Sequence, residues 1–451
     1  MSTEGFTGTT TRRQTLLALA LSLVTARTAF GRGRALLGGR LSLRAPWPVG
    51  SFDPHRLDDA ASLFFGPCLF DSLFGIDASG MPVPALAETL PDGVADGTRV
   101  ALRRGMRFAS GKPVTSRDVV ASVARARRYG AHAWLDALGP VKMAGPSAIH
   151  VGLRNRSIVA RALASPLAAV VPEGFAPERP DGTGPFAAEH EGTTLILMRN
   201  RFAATGPAYL DAVSVAPAPD LAASLRAFES GEDDLGWLGL GLHEPRRGAV
   251  PFDAGALGWA VLRTGDQAGR WSLPGVAERL ADGIDPARLA QLGATSDRAP
   301  LQDLGWGGPP VPLLVRDDSP WLIELARVVA AALSQPEHDV TARTVPVAEL
   351  VSLRTSRAYS LALDLVRPFD RTPLGASVAL ASADDPERGA ELARHPPLGS
   401  ADPRVLCRTL RLGILADVHL QGGRMSDLVL PRGADGVGVD FGAIIHPRTG
   451  S

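Results

Sequence analysis

The sequence predicts a mixed α/β protein built in lobes, on three observations. The chain is 451 residues long, room for about three domains or two large lobes. Strand-like and helix-like patterns alternate along it without a regular order, which suits mixed α/β lobes. Gly/Pro-rich joints fall near 180–185, 245–258, 305–312 and 431–438, and no fixed-period repeat points to a solenoid or propeller.

The elements follow from local pattern. Leu41-Ser42-Leu43-Arg44-Ala45 alternates with period two and reads as a strand. Residues 60–74 read as a helix with a broad apolar face, and Gly66-Pro67 is a candidate break in it. Residues 98–102 alternate again as a strand. Thr115, with Asp118 in the first turn, marks a helix start. Residues 193–198 and 212–215 read as strands. Residues 221–230 form a short amphipathic helix that Gly231 ends. Residues 311–315 read as a strand, and 320–333 as a long helix with Pro320 in its first turn. A helix over 345–353 and a strand over 360–365 follow. Residues 427–430 and 441–445 have a strand-like composition.

Composition narrows the function. Lys+Arg and Asp+Glu both number 47, so the formal charge is zero. A nucleic-acid binder needs a basic surplus, which is absent. At 45% hydrophobic and 21% charged residues, the chain can bury cores and is not a disordered polyelectrolyte. Two cysteines, Cys68 and Cys407, make neither a disulfide scaffold nor a four-cysteine zinc site. Each reads as a buried thiol, and a long-range pairing after export stays open. Arg12-Arg13 precede an apolar run of about 12 residues that ends in small residues around Ala26, too short to span a membrane. Residues 1–26 therefore read as a signal peptide. The paired arginines resemble the twin-arginine export signal, and an ordinary secretory signal is the alternative. No cysteine follows the run closely, so the expected product is a soluble exported protein and not a lipoprotein.

Catalytic chemistry has no positive case. The sequence holds no GxSxG, HExxH, CxxC or P-loop pattern. Gly239-Leu240-Gly241 lacks a third glycine, and the nine histidines have no metal-ligand spacing on one element. Asp53-Pro54-His55 reads as a turn. Glu232-Asp233-Asp234 reads as a solvated helix end, since the intervening oxygen ligands of a calcium loop are missing. No catalytic residue, metal or cofactor is expected.

Four segments, in order over about residues 41–240, carry a resemblance. The first runs from Ser51-Phe52-Asp53-Pro54-His55 through Phe70-Asp71-Ser72-Leu73-Phe74 to Gly80-Met81-Pro82-Val83-Pro84-Ala85-Leu86-Ala87-Glu88. The second is Leu102-Arg103-Arg104-Gly105-Met106-Arg107-Phe108-Ala109-Ser110-Gly111-Lys112-Pro113-Val114-Thr115-Ser116-Arg117-Asp118-Val119. The third is Gly182-Thr183-Gly184-Pro185-Phe186 with Leu197-Met198-Arg199-Asn200 and Tyr209-Leu210-Asp211. The fourth is Phe228-Glu229-Ser230-Gly231-Glu232-Asp233-Asp234-Leu235. Together they resemble the extracellular solute-binding proteins of the peptide/nickel class that feed ABC importers, the family 5 type. The second half matches more thinly, through Ile284-Asp285, residues 311–333 and the last thirty residues. Most of the signature specifies fold: Gly105, Gly111 and Pro113 shape a turn, while Gly182 and Gly184 mark a positive φ or a close backbone approach.

The resemblance implies a two-lobed α/β fold with an extra N-terminal subdomain and a ligand cleft between the lobes. The implied boundaries are 33–72, 182–257 and 425–451 for the core of lobe I, 73–181 for the extra subdomain, and 258–424 for lobe II. The implied function is capture of a small solute, such as a short peptide, for an ABC permease in the inner membrane. The implied protein is a periplasmic monomer, passed by the twin-arginine translocase, with no nucleic-acid partner. A binding, sensor or accessory protein outside transport is the alternative, and a hydrolase recruited onto the scaffold a remote one. Carried over residue by residue, the ligand contacts are Asp58 and Ala60, in the segment just after Asp-Pro-His, then Trp237, and Arg367, Phe369 and Asp370. Trp237 is open to two readings, a cleft wall or core packing. Arg367 stands where relatives tend to have an aromatic, and its planar fork suits a carboxylate or phosphate. His419 reads as structural. With only three Tyr against seven Trp and fifteen Phe, Trp237 and the arginines are expected to carry more of the recognition.

Overall fold

The computed structural model describes residues 37–237, 246–296, 305–396, 402–434 and 436–446. The expected signal peptide and the Gly239-Leu240-Gly241 motif lie outside them. The chain opens with β1 (Arg40–Ala45), whose Leu41, Leu43 and Ala45 are buried as the alternation predicts. Helix α1 (Ala60–Leu69) follows, capped by the Asp59 side chain on the Ser62 N–H. Pro67 does not break it. It lies on the exposed side of the last turn, and the helix ends two residues later.

A small region comes next. Strands β2 (Phe74–Ile76) and β3 (Pro82–Pro84) form a hairpin. Strands β4 (Asp92–Val94), β5 (Gly97–Ala101), β6 (Val141–Met143) and β7 (Ala148–Val151) form a four-stranded sheet in the order β4-β5-β7-β6. Its helices are α2 (Ser116–Ala126), α3 (His132–Leu135) and α4 (Arg156–Ala162). The Thr115/Asp118 capping box starts α2 as expected. Gly105 and Gly111 adopt φ of +77° and +87° in the turn before it, where a side chain would be strained.

The remaining strands belong to one 11-stranded sheet. They are β8 (Phe186–Glu191), β9 (Thr194–Arg199), β10 (Ala212–Pro217), β11 (Leu235–Trp237), β12 (Ala249–Thr264), β13 (Ala294–Thr295), β14 (Val311–Arg316), β15 (Val340–Val345), β16 (Leu361–Val366) and β17 (Leu412–Met425). The order is β15-β14-β16-β12-β17-β11-β1-β10-β9-β8, with β13 on β17. Helix α5 (Leu221–Ser230) precedes β11 and ends at Gly231 with φ +86°. Helices α6 (Val276–Asp282), α7 (Pro286–Ala290), α8 (Pro320–Leu333), α9 (Val347–Ser356), α10 (Pro373–Asp384), α11 (Pro386–Arg394) and α12 (Pro403–Cys407) serve the other half.

Two strands make this arrangement two-lobed. β12 and β17 are 16 and 14 residues long and antiparallel. One end of the pair lies beside β11 and β1, and the other end beside β16 and β14. Register shifts interrupt the pair at Asp253/Ala256, Ala256/Gly258 and Ala260/Val261. Such bulges bend and twist a ladder, so the bend falls where the chain passes from one lobe to the other. The sequence reading took 245–258 for a joint. From Ala249 on it is the start of a crossing strand, and Pro251, Gly255 and Gly258 obscure its period. The terminal strands expected over 427–430 and 441–445 are not strands. One bridge, Val429 to Ile445, joins them, and Phe441–Ala443 is a 3-10 turn capped by Asp440.

Gly182-Thr183-Gly184 is a close-approach motif. A Cβ on Gly182 would stand 2.0 Å from the Leu69 carbonyl oxygen, and one on Gly184 2.7 Å from that of Cys68. Between them the Thr183 hydroxyl donates to Asp71 at 2.8 Å. Gly182→Ala must push the end of α1 away, and we expect a loss of about 2–3 kcal/mol, as for overpacked core sites. A lower urea midpoint at unchanged slope checks this; an unchanged midpoint refutes it.

Candidate ligand cleft

The site is built where β1, α1, β11 and the crossing strands meet α8. Trp47, just past β1, lies at 4.0 Å centroid distance and 16° from Phe64 of α1. Trp237, at the end of β11, lies 5.2 Å from Trp47 and 6.0 Å from Phe64. From the other lobe come Leu292, Gly293 and Trp321, whose indole donates to the Leu292 carbonyl at 2.7 Å. Leu221 of α5 and Val418, His419 and Gln421 of β17 complete the lining of a cavity of about 20 Å³, space for roughly one water. His419 Nδ1 lies 3.0 Å from Asp253 on the neighbouring strand.

The polar atoms of this lining are unusual. Trp47 Nε1, Trp237 Nε1 and Gln421 Nε2 are buried and have no hydrogen-bond partner. Leaving a buried donor unpaired costs about 1–3 kcal/mol, so native proteins seldom do it without cause. Trp237 is 3% exposed and answers to both readings open in the sequence, packed in an aromatic cluster and forming a cavity wall.

Beside the cavity, an ion-pair seam joins the lobes. Asp58 receives Arg354 of α9 at 2.6 Å, and Arg56 in a fork at 3.0 and 3.1 Å. Arg354 also bonds Asp364 of β16, which accepts Arg263 of β12 at 3.1 Å. Arg316 donates to the Asp58 carbonyl at 3.1 Å, and the Arg367 N–H to the Leu57 carbonyl at 3.0 Å. The Trp321 N–H reaches the Pro46 carbonyl at 2.9 Å. Burial alone would raise the Asp58 carboxyl, but the Arg354 and Arg56 guanidiniums overcome it and hold it far below the usual carboxylate range.

The Asp-Pro-His turn anchors the same segment. Arg125 of α2 grips Asp53 at 2.7 and 2.8 Å and donates to His55 Nδ1 at 2.9 Å. His55 Nε2 faces the Ala169 carbonyl at 2.8 Å, so the neutral Nε2–H tautomer satisfies both bonds. Burial pulls the His55 pKa down to about 4, against the Ala169 bond and the Asp53 charge, which raise it.

The residues singled out from sequence do not all meet. Asp58 lies in the seam with its acid already paired. Ala60 is the buried first residue of α1. Arg367 is 5% exposed, and its guanidinium donates to the Arg56 carbonyl at 3.4 Å. Burial draws its pKa down to about 10, with Asp59 and Asp53 opposing through space. Phe369 stacks on Trp134 of α3 at 5.6 Å and 4°. Asp370 accepts the Thr372 N–H at 2.8 Å and lies 3.6 Å from Arg161 of α4. Phe369 and Asp370 thus pack on the small region and do not line the cavity of Trp237. Sequence reading missed Trp47, Phe64, Trp321, Gln421, Arg354 and Asp364. Trp47, in Pro-Trp-Pro after a strand, was the one with a local signal.

Other features are structural. Arg44 pairs with Glu232 at 2.5 Å and Asp233 at 3.4 Å, and Ser42 holds Asp234 at 2.8 Å, so the acidic triplet is tied to β1. Cys68 and Cys407 are both buried and no disulfide joins them; burial pushes the Cys68 thiol up. Among the described residues no His/Cys/Asp/Glu group could hold a metal ion, and no helix is long and apolar enough to cross a membrane.

Comparison with known proteins fits this geometry. Residues 81–242 match the family model described as bacterial extracellular solute-binding proteins, family 5 middle. No curated protein matches the sequence. Among solved structures, the binding protein AgaA from A.tumefacien R10, in complex with agropinic acid, has a TM-score of 0.69 at 15% identity, covering 91% of this chain and 99% of that one. OppA from Listeria monocytogenes, bound to peptide, has 0.67 at 14%, covering 91% and 99%. NikA from Brucella suis, in complex with Fe(III)-EDTA, has 0.62 at 16%, covering 91% and 100%. Residues 81–242 are thus similar to the bacterial extracellular solute-binding proteins of family 5, and the chain as a whole shares the two-lobed fold of these binding proteins.

Proposed function

We propose that the protein captures a small solute between its lobes and hands it to an ABC permease of the inner membrane. The observation that carries this reading is the set of three unpaired buried donors on residues of one interlobe cavity. A bound acceptor would repay their desolvation, and closing the lobes on it would be a hinge motion about β12 and β17. Relatives whose structures hold a peptide, agropinic acid or Fe(III)-EDTA support a solute of that size range. The lobe boundaries we infer are 33–72, 182–257 and 425–451 for lobe I, 73–181 for the small subdomain and 258–424 for lobe II. Residues 1–26 act as a twin-arginine signal and place a soluble monomer in the periplasm. No catalytic role is assigned.

Trp47, Trp237 and Trp321 give the test its signal. A bound solute at about 100-fold excess over its Kd should add about 2.7 kcal/mol of stability. Titration with peptides, amino-acid conjugates and organic acids should therefore raise Tm and shift tryptophan emission for at least one class. A flat response to all of them in both readouts removes the proposal.

A further inference from the structure

We infer that the acceptor enclosed by this cavity is a single halide ion, chloride by its size, held by the N–H groups of Trp47, Trp237 and Gln421 and seated only when the lobes are together. This inference rests on the binding-protein reading above, in which a bound acceptor repays the unpaired donors, and it names the acceptor that the cavity itself encloses.

The lining sets the sign of the ligand. Its buried side-chain atoms without a hydrogen-bond partner are Trp47 Nε1, Trp237 Nε1 and Gln421 Nε2, and all are donors. None of these residues is more than 5% exposed. The fourth polar N–H of the lining, Trp321 Nε1, is spent on the Leu292 carbonyl. Among the described residues no carboxylate lines the cavity. His419 is its titratable side chain, and Nδ1 of that ring is engaged with Asp253 at 3.0 Å. The edges of the indole rings, where the N–H groups sit, are also the positive part of the ring quadrupole. A cation would meet the positive ends of these dipoles; an anion meets donors that nothing else uses.

The volume sets the size. At about 20 Å³ the cavity has room for one water, so a carboxylate or phosphate, with several heavy atoms, does not fit inside it. A water accepts two hydrogen bonds and has two hydrogens of its own to place, which leaves one of the three donors unpaired. A halide ion is close to water in size, accepts from all three and has no hydrogen to place. Hydrogen bonds to an ionised acceptor are also the stronger kind, which offsets the desolvation of the ion. The lining comes from both sides of the junction, with Trp47, Phe64 and Trp237 on one and Leu292 and Trp321 on the other. An ion enclosed by both sides binds the closed form alone and so favours it by mass action.

The test reads chloride against gluconate on the full chain, exchanged at a constant ionic strength of about 0.1 M so that general screening is unchanged. Chloride should raise Tm by about 2 °C and shift tryptophan emission, and both responses should saturate. Trp237→Phe keeps an aromatic ring, loses the N–H and should weaken the apparent chloride affinity about tenfold. Because a core variant can fail to fold, crystals of the unaltered protein grown in bromide serve beside it, and they should show an anomalous scatterer in the cavity. A response that is absent or does not saturate, undiminished affinity in a folded Trp237→Phe, or bromide at surface positions only overturns the inference. Trialanine separates the two levels. If it raises Tm while chloride gives no saturable response, the halide assignment falls and the binding-protein reading stands. If chloride and every solute of the wider screen leave Tm and emission flat, both fall.

Discussion

Replacing Asp58 with Asn should part the lobes. The Asp58 carboxylate is 14% exposed and faces Arg354 at 2.6 Å and Arg56 at 3.0 Å. Arg316 and Arg367 approach the backbone of the same segment. Neutralising Asp58 leaves Arg354 and Arg56 without its charge, and breaking a buried pair by removing one partner costs about 3–5 kcal/mol. Much of that strain can be relieved by letting the arginines reach water, which means opening the molecule about β12 and β17. The expected results are a larger radius of gyration by small-angle scattering and a lower urea midpoint. Arg354→Met should restore part of the lost stability when added to Asp58→Asn, since the two residues share one interaction and their effects do not add. An unchanged radius together with an unchanged midpoint would refute the seam. The sequence reading placed Asp58 on the solute. The geometry gives it an arginine partner from the other lobe, so solute entry has to compete with this pairing, and Asp58→Asn should also speed association.

What could be read in the sequence was written locally. The Thr115/Asp118 box, the turn shaped by Gly105 and Gly111, and the close approach at Gly182 and Gly184 each rest on neighbours within a turn or on a residue type that only a tight backbone needs. The resemblance rested on these same positions, which is why it reached the fold. The crossing strands were hidden because bulges break their alternation and because Pro251, Gly255 and Gly258 imitate a loop. The seam was hidden for another reason. Arg354 and Asp58 stand 296 residues apart in the chain, and no spacing rule pairs them. Trp237 was found through the motif before it, but Trp47, Trp321 and Gln421 come from three other elements. Their shared cavity exists only once the sheet is assembled. Arg367 was singled out as an anion ligand because a guanidinium replaced an expected aromatic. The structure buries it against the Arg56 and Leu57 carbonyls, outside the lining of the Trp237 cavity.

His55 should make the folded state acid-sensitive in a window of its own. Its folded pKa, about 4, lies below the ordinary value of 6.5 because burial disfavours the imidazolium. The unfolded chain therefore binds a proton at His55 before the folded one does. Its contribution is fully present above pH 6.5 and drains away as pH falls toward 4, by on the order of 3 kcal/mol. Neighbouring acids behave differently. Asp58 is depressed, so its contribution holds until pH falls below the ordinary carboxylate range, toward its folded pKa. Burial raises Asp59 and Asp71, which weigh against folding near neutrality and are relieved as pH falls through their raised values. The raw stability curve mixes these signs, and the comparison with His55→Gln separates them, because glutamine offers a donor and an acceptor but does not titrate. The stability difference, wild type minus variant, should be flat above pH 6.5 and fall by about 3 kcal/mol between pH 6.5 and 4. The His55 ring resonance should titrate near pH 4. Parallel stability curves, or a His55 resonance titrating near 6.5, would remove the neutral imidazole from the anchor that holds the Asp53–Asp59 segment, and with it the fixed placement of Asp58 opposite Arg354.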